Sequence, residues 1–159
     1  MSKKSNKHRS AGDVGEAYVV RRIRCPHCNK RLIRLPAGFP LFDVHCEGCV
    51  FRAQVKTNNA KPRNEIFGAG YDVLQHFQKS GQLIPPLIVV FRWREGSAAR
   101  ERVVFYPFLT TRNLRKRVRG ASGSRPGYRE FNYVDLETAP SIDLTPKQRK
   151  QSASPRFAA

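Results

Sequence analysis

With 159 residues, thirty Lys and Arg against twelve Asp and Glu, and a formal net charge of +18, the chain has the length for one domain with a real core and favours a polyanionic partner. Its longest apolar run, 83–91, is interrupted by Pro85 and Pro86 and falls short of the ~20 residues a membrane span needs. The polar, basic first ten residues hold no apolar segment of a secretory signal, so a soluble cytoplasmic protein without membrane partners is expected.

In chain order, residues 1–11 read as a disordered basic arm. From Gly12 or Asp13, the apolar positions Val14, Ala17, Tyr18, Val20 and Ile23 recur at helical spacing, with Asp13 as N-cap and Glu16 as a capping-box acid. Runs 31–35 and 41–45 read as two strands joined by a Gly/Pro turn over 36–40. Residues 50–57 alternate, with Phe51, Ala53 and Val55 on one face and Arg52, Gln54 and Lys56 on the other. A polar loop over 58–70 carries Lys61 and Arg63, and a helix follows over 71–79. Runs 87–93 and 102–106 read as a hairpin, and 109–118 as a helix holding Arg112, Arg115, Lys116 and Arg117, with Arg119 just beyond. A Gly/Ser/Pro loop over 120–127 leads to a last strand over 128–136, and 145–159 reads as a flexible tail. The aromatics Trp93, Tyr128 and Tyr133 are weighed as core or groove contacts, with core favoured on strand patterns. The folded domain is thus expected over 12–144.

Four cysteines stand as C-x2-C-x17-C-x2-C: Cys25, Cys28, Cys46 and Cys49. Paired CxxC turns without a secretory signal point to four thiolates around a structural Zn²⁺ rather than to two disulfides. A closed four-thiolate site has no open position for substrate, so its expected work is folding free energy. Arg24, Lys30, Arg31 and Arg34 surround the knuckle, and direct nucleic-acid binding by it ranks below that scaffold role. His27 and His45 adjoin ligands, but four thiolates already complete a tetrahedron.

The second constellation interleaves with the first. Asp43 lies three residues before Cys46, and Gln54-Val55-Lys56 begins five residues after Cys49. If the flanking strands pair through the knuckle, Asp43, Gln54 and Lys56 meet on one edge. A carboxylate and an amide oxygen suit Mg²⁺, and a neighbouring lysine can orient or activate a water attacking phosphorus.

In this order, Glu16 on a first helix, Asp43, Gln54-x-Lys56 and then helix 71–79, the chain resembles the PD-(D/E)XK nuclease superfamily, whose core is a central mixed sheet flanked by helices. More closely it resembles the catalytic domain of DpnI-type, methyladenine-dependent restriction endonucleases. The likeness rests on the CPxC and CxxC pairs and their intervals to Asp43 and Gln54, with softer similarity from Gly15 through Leu136. The resemblance implies an α/β fold with an inserted four-cysteine zinc knuckle and a restriction-type, methyl-directed or plain, Mg²⁺-dependent endonuclease acting on double-stranded DNA. It implies metal positions at Asp43 and Gln54, a catalytic lysine at Lys56 and an accessory acid at Glu16. Gln54 stands where the family usually has an acid, which opens the site to Mn²⁺. No counterpart of the family's C-terminal winged helix is present in this sequence. Lys61, Arg63, Arg112, Arg115, Lys116, Arg117 and Arg119 are the candidate DNA contacts. Two other readings stay open: a zinc-ribbon DNA-binding module without catalysis, and a structure-specific repair or junction nuclease.

Overall fold

The first helix, α1 (Lys4–Arg22), begins in the stretch expected to be an arm. The structure, a computed structural model, describes residues 4–81, 83–121 and 126–147. Residues 1–3 of the expected arm, 122–125 of the expected loop and 148–159 of the expected tail lie outside them. A polar helical turn carries no apolar periodicity, so pattern reading starts α1 too late. Asp13 and Glu16 are therefore not capping residues: both lie inside the helix, and both carboxylates pair with Arg34.

Three strands, β1 (Leu32–Arg34), β2 (Val44–Cys46) and β3 (Arg52–Asn58), form an antiparallel meander, with Val44 opposite Ala53. The chain then runs through β4 (Ile66–Gly70) and α2 (Tyr71–Lys79) before β5 (Leu87–Glu95) returns parallel to β3, pairing Gln54 with Leu87 and Lys56 with Val89. Parallel neighbours require such a crossover. β6 (Ala98–Tyr106) closes a hairpin on β5, and β9 (Ile142–Asp143) adds a short edge. The result is a mixed six-stranded sheet ordered β1-β2-β3-β5-β6-β9. A second, antiparallel sheet is ordered β4-β8-β7, with β7 (Leu114–Val118) and β8 (Arg129–Tyr133).

Two expectations are corrected here. The loop over 58–70 contains β4, hidden in the sequence because Gly68 and Gly70 dilute the strand signal. Gly68 is needed there: a Cβ would stand 2.3 Å from the Phe131 ring. The helix over 109–118 is instead a single 3-10 turn, Thr111–Asn113, followed by β7. Five residues of Leu-Arg-Lys-Arg-Val satisfy either period, and pairing with β8 decides for the strand.

The large sheet is packed on both faces. On one, Tyr18 and Val19 of α1 and Ile23 just after it meet Ala53, Val55, Ile88 and Val90. On the other, Leu87, Val89 and Phe91 meet Ile66, Leu74, Phe131 and Tyr133 from the small sheet and α2. At roughly 1.5–3 kcal/mol for each fully buried large side chain, this second interface holds the small sheet against the large one. Among the described residues, no helix is long and apolar enough to cross a membrane.

Candidate metal centre and acidic edge

Both CxxC pairs sit on turns shaped by backbone hydrogen bonds. Cys25 N–H donates to the Lys30 carbonyl at 2.9 Å, and Cys46 N–H to the Phe51 carbonyl at 2.9 Å. Asn29, which tolerates a left-handed backbone, takes φ 62° just after the first pair. Gly48 passes so close to Lys30 that a Cβ would lie 2.7 Å from its Cγ. The β1–β2 pairing brings the two turns together, leaving Cys25 and Cys49 Sγ atoms 3.7 Å apart and Cys28 and Cys46 Sγ atoms 3.3 Å apart.

A disulfide needs about 2.05 Å, so these are not bonded pairs. Tetrahedral thiolates at the usual zinc–sulfur distance are separated by about 3.8 Å, and all four sulfurs lie within 4.8 Å of one another. The four cysteines are placed to hold a metal ion such as zinc. Burial alone would push the Cys46 thiol up, but the Gly48 N–H, 3.3 Å from its Sγ, and the three neighbouring thiols bring it to about 7. Burial raises Cys25, and, against the Phe51 N–H, burial and the neighbouring thiols raise Cys49, so the lowering at Cys46 reflects protons shared within one cluster.

The acidic edge lies at the other end of the same segment. Asp43 is fixed by three bonds: its N–H donates to the Ala53 carbonyl at 3.0 Å, its carbonyl accepts from Leu35 N–H at 2.8 Å, and its Oδ2 accepts from Val55 N–H at 2.7 Å. That last bond holds the carboxylate against the backbone between Gln54 and Lys56. Just upstream, Leu41 takes φ 60° while burying its side chain in the second core cluster. Left-handed backbone is costly for a non-glycine residue, and the buried leucine offsets that cost at the turn that aims Asp43.

Glu16 enters from α1. The helix comes near β3 because Gly15 lacks a Cβ, which would lie 1.8 Å from Thr57 Oγ1. Arg34 Nε donates to Glu16 Oε2 at 2.6 Å, and its guanidinium also pairs with Asp13. Glu16, Arg34 and Asp43 line one cleft of about 280 Å³ with Asp13 and the 36–39 turn.

The charges in this edge perturb one another. Burial, opposed by the Val55 N–H and by Lys56 and Arg34, holds the Asp43 carboxyl above its ordinary value. Burial and then Asp43 raise Glu16, against the pull of Arg34. Burial lowers Lys56, while Asp43 and Glu16 oppose that shift. A lysine whose proton affinity is set by burial against two nearby acids is a feature of functional sites.

Gln54 is 6% exposed, and its Oε1 accepts a 2.5 Å hydrogen bond from the Tyr133 hydroxyl. Tyr133 is 1% exposed, and burial first, then Asp43, raises its hydroxyl pKa. Sequence patterns mark Tyr133 as core; its polar link to Gln54 appears only once β8 packs over β3.

The expected DNA contacts are more dispersed. Arg115 pairs with Glu65 at 3.2 Å, Arg119 with Glu130 at 2.9 Å, Arg117 with Glu130 at 4.0 Å, and Lys61 with Glu95 at 3.2 Å. Lys116 lies 5.1 Å above the Tyr71 ring. Arg112 sits exposed on the 3-10 turn, and Arg63 lines a separate cleft beside Asn58 and Phe67. Four of the seven cations therefore already have a carboxylate neighbour.

No protein-family model matches the sequence, and comparison with curated proteins gives no match.

Proposed function

We propose that the protein is a metal-dependent DNA endonuclease of the PD-(D/E)XK type, restriction-like, with a zinc-bound cysteine knuckle as scaffold. One observation carries the reading: the Asp43 carboxylate is anchored on the Val55 N–H between Gln54 and Lys56 and shares a cleft with Glu16 of α1, and both acids oppose the burial that lowers the Lys56 pKa. The order of helix, strands, helix, strands and the mixed sheet agree with it. The net charge of +18 supplies the attraction for a phosphate backbone.

In this reading, Asp43 and Gln54 would hold Mg²⁺, or Mn²⁺, through oxygen donors that suit a hard ion. When bound, the ion supplies charge neutralisation at a non-bridging phosphate oxygen and at the attacking water. Lys56, its pKa lowered by burial, orients that water and can take its proton nearer neutrality than an ordinary lysine. As the water oxygen bonds to phosphorus, the bond to the leaving sugar oxygen breaks and that oxygen takes up a proton. Glu16 acts from α1 as the accessory acid.

Plasmid nicking in Mg²⁺ or Mn²⁺ tests the reading. Lys56→Ala should slow cleavage by about 10²–10⁴-fold while leaving salt-sensitive DNA binding nearly unchanged. Cleavage that survives this substitution overturns the site. Comparing plasmid grown with and without adenine methylation reports whether cleavage is methyl-directed.

A second reading, a DNA-binding module without catalysis, is favoured by the Tyr133–Gln54 bond, which engages the amide oxygen needed by a metal. A carbonyl oxygen has two lone pairs, so the bond leaves room for a ligand. Binding without cleavage in either metal would select this module.

A further inference from the structure

Beyond Lys56, β3 ends at Asn58, which shares the Lys56 face by strand alternation at about 7 Å along the chain. Asn58 opens a cleft of about 460 Å³ that is also lined by Arg63, Glu65, Ile66, Phe67 and Asn132. We propose that this cleft takes a nucleobase of the DNA, one that presents an exocyclic amine, beside the phosphate cleaved at Lys56. Its placement next to a scissile phosphate rests on the nuclease reading; base binding in the cleft does not.

The lining argues for a base and against a phosphate. Glu65, paired with Arg115 at 3.2 Å, stands in the wall beside Arg63, and a carboxylate beside a phosphate is repulsive. Phe67 is 52% exposed and stands opposite Asn132 in the β4–β8 register. That leaves a large aromatic face open to solvent beside polar groups, the arrangement on which bases stack.

The hydrogen-bonding groups are also oriented. Asn132 Nδ2 donates to Glu65 Oε1 at 2.7 Å. An ionised carboxylate only accepts, so the amide nitrogen must face Glu65, and Asn132 Oδ1 remains an acceptor. Glu65 is itself held from the other side by Arg115. Among the described residues, the Asn58 amide has no hydrogen-bond partner, so it can donate to a ring nitrogen and accept from an amine.

The test uses the full chain and two independent readouts. First, a duplex pool with a randomised central stretch is captured without divalent metal and sequenced. Second, plasmid cut in Mg²⁺ or Mn²⁺ is sequenced at its ends. Wild type should enrich an amine-bearing base about tenfold or more at one position, within about one or two nucleotides of the cut. Phe67→Ala and Asn58→Ala should each reduce that enrichment below about twofold, with total DNA affinity within about threefold and melting temperature unchanged. A flat wild-type profile, or a preference that both variants keep, overturns the proposal. Enrichment lost in the variants of a protein that never cleaves leaves the base cleft standing and defeats the nuclease reading. Cleavage without any base preference does the reverse, and absence of DNA capture defeats both.

Discussion

The cysteine knuckle and the acidic edge share one stretch of chain, residues 25–56, yet they are built on opposite principles. The four thiolates come from two local turns, and one strand pairing, β1 with β2, brings them within 4.8 Å. The acidic edge draws on α1, the turn before β2 and β3, and it depends on a helix-to-sheet approach without a Cβ at Gly15. Local spacing makes the first robust. The second is only as accurate as the packing that surrounds it, and the knuckle is part of that packing because Val44 and Cys46 join the core under α1.

Removing the metal we assign to the knuckle should have the largest effect. Apparent binding free energies of structural zinc are on the order of 10 kcal/mol, so chelation or Cys46→Ser should lower the melting temperature by about 10 °C or more and abolish cleavage together. Calorimetry alongside nicking checks this. Full activity in a folded, metal-free protein would separate the two regions.

Gly15→Ala strikes the edge alone. Its Cβ would meet Thr57 Oγ1 at 1.8 Å, so Thr57 must turn away or the helix must shift and carry Glu16 with it, at about 1–3 kcal/mol. Denaturant melts should show that loss with slower cleavage and unchanged metal content. Adding Thr57→Ala should restore most of both.

Tyr133→Phe removes the donor to the buried Gln54 oxygen. A stability loss of about 1–2 kcal/mol is expected, with thiolate metal binding untouched; a neutral result would mean that Gln54 finds another partner.

Asp43→Asn should give the smallest stability change. Burial raises the Asp43 pKa in the folded state. Its contribution to stability is therefore fully present below the unfolded value, near pH 4, and is lost as pH rises through the folded value. The asparagine variant avoids that loss, and Lys56 can shed its proton to compensate. It should melt level with wild type near pH 3 and level with or slightly above it at neutral pH, while cleavage is lost. A variant clearly less stable at neutral pH would show that the Asp43–Lys56 pairing outweighs the burial cost.

Much of the framework was legible because its signals are local. The alternation at 50–57, the helix at 71–79 and the hairpin around 94–97 appear as β3, α2 and the β5–β6 pair. Residues 109–118 and 58–70 misled for a common reason: short basic or glycine-containing runs fit more than one period, and their strands exist only through partners far along the chain. The early turns of α1 left no apolar mark. Glu16 reads as a capping acid from its spacing and as an accessory acid from the resemblance; it does not cap, and its carboxylate reaches Arg34 and the cleft shared with Asp43.

Spacing, period and a count are enough for the thiolate set, the shared face of Gln54 and Lys56, and a charge suited to a polyanion. The groups that surround Asp43, the bond from Tyr133 to Gln54, and the cleft shared by Asn58, Phe67 and Asn132 come from packing between distant parts of the chain. Those juxtapositions arise where β3 meets α1 on one face and the small sheet on the other. Burial there sets proton affinities and fixes partners that no local pattern encodes.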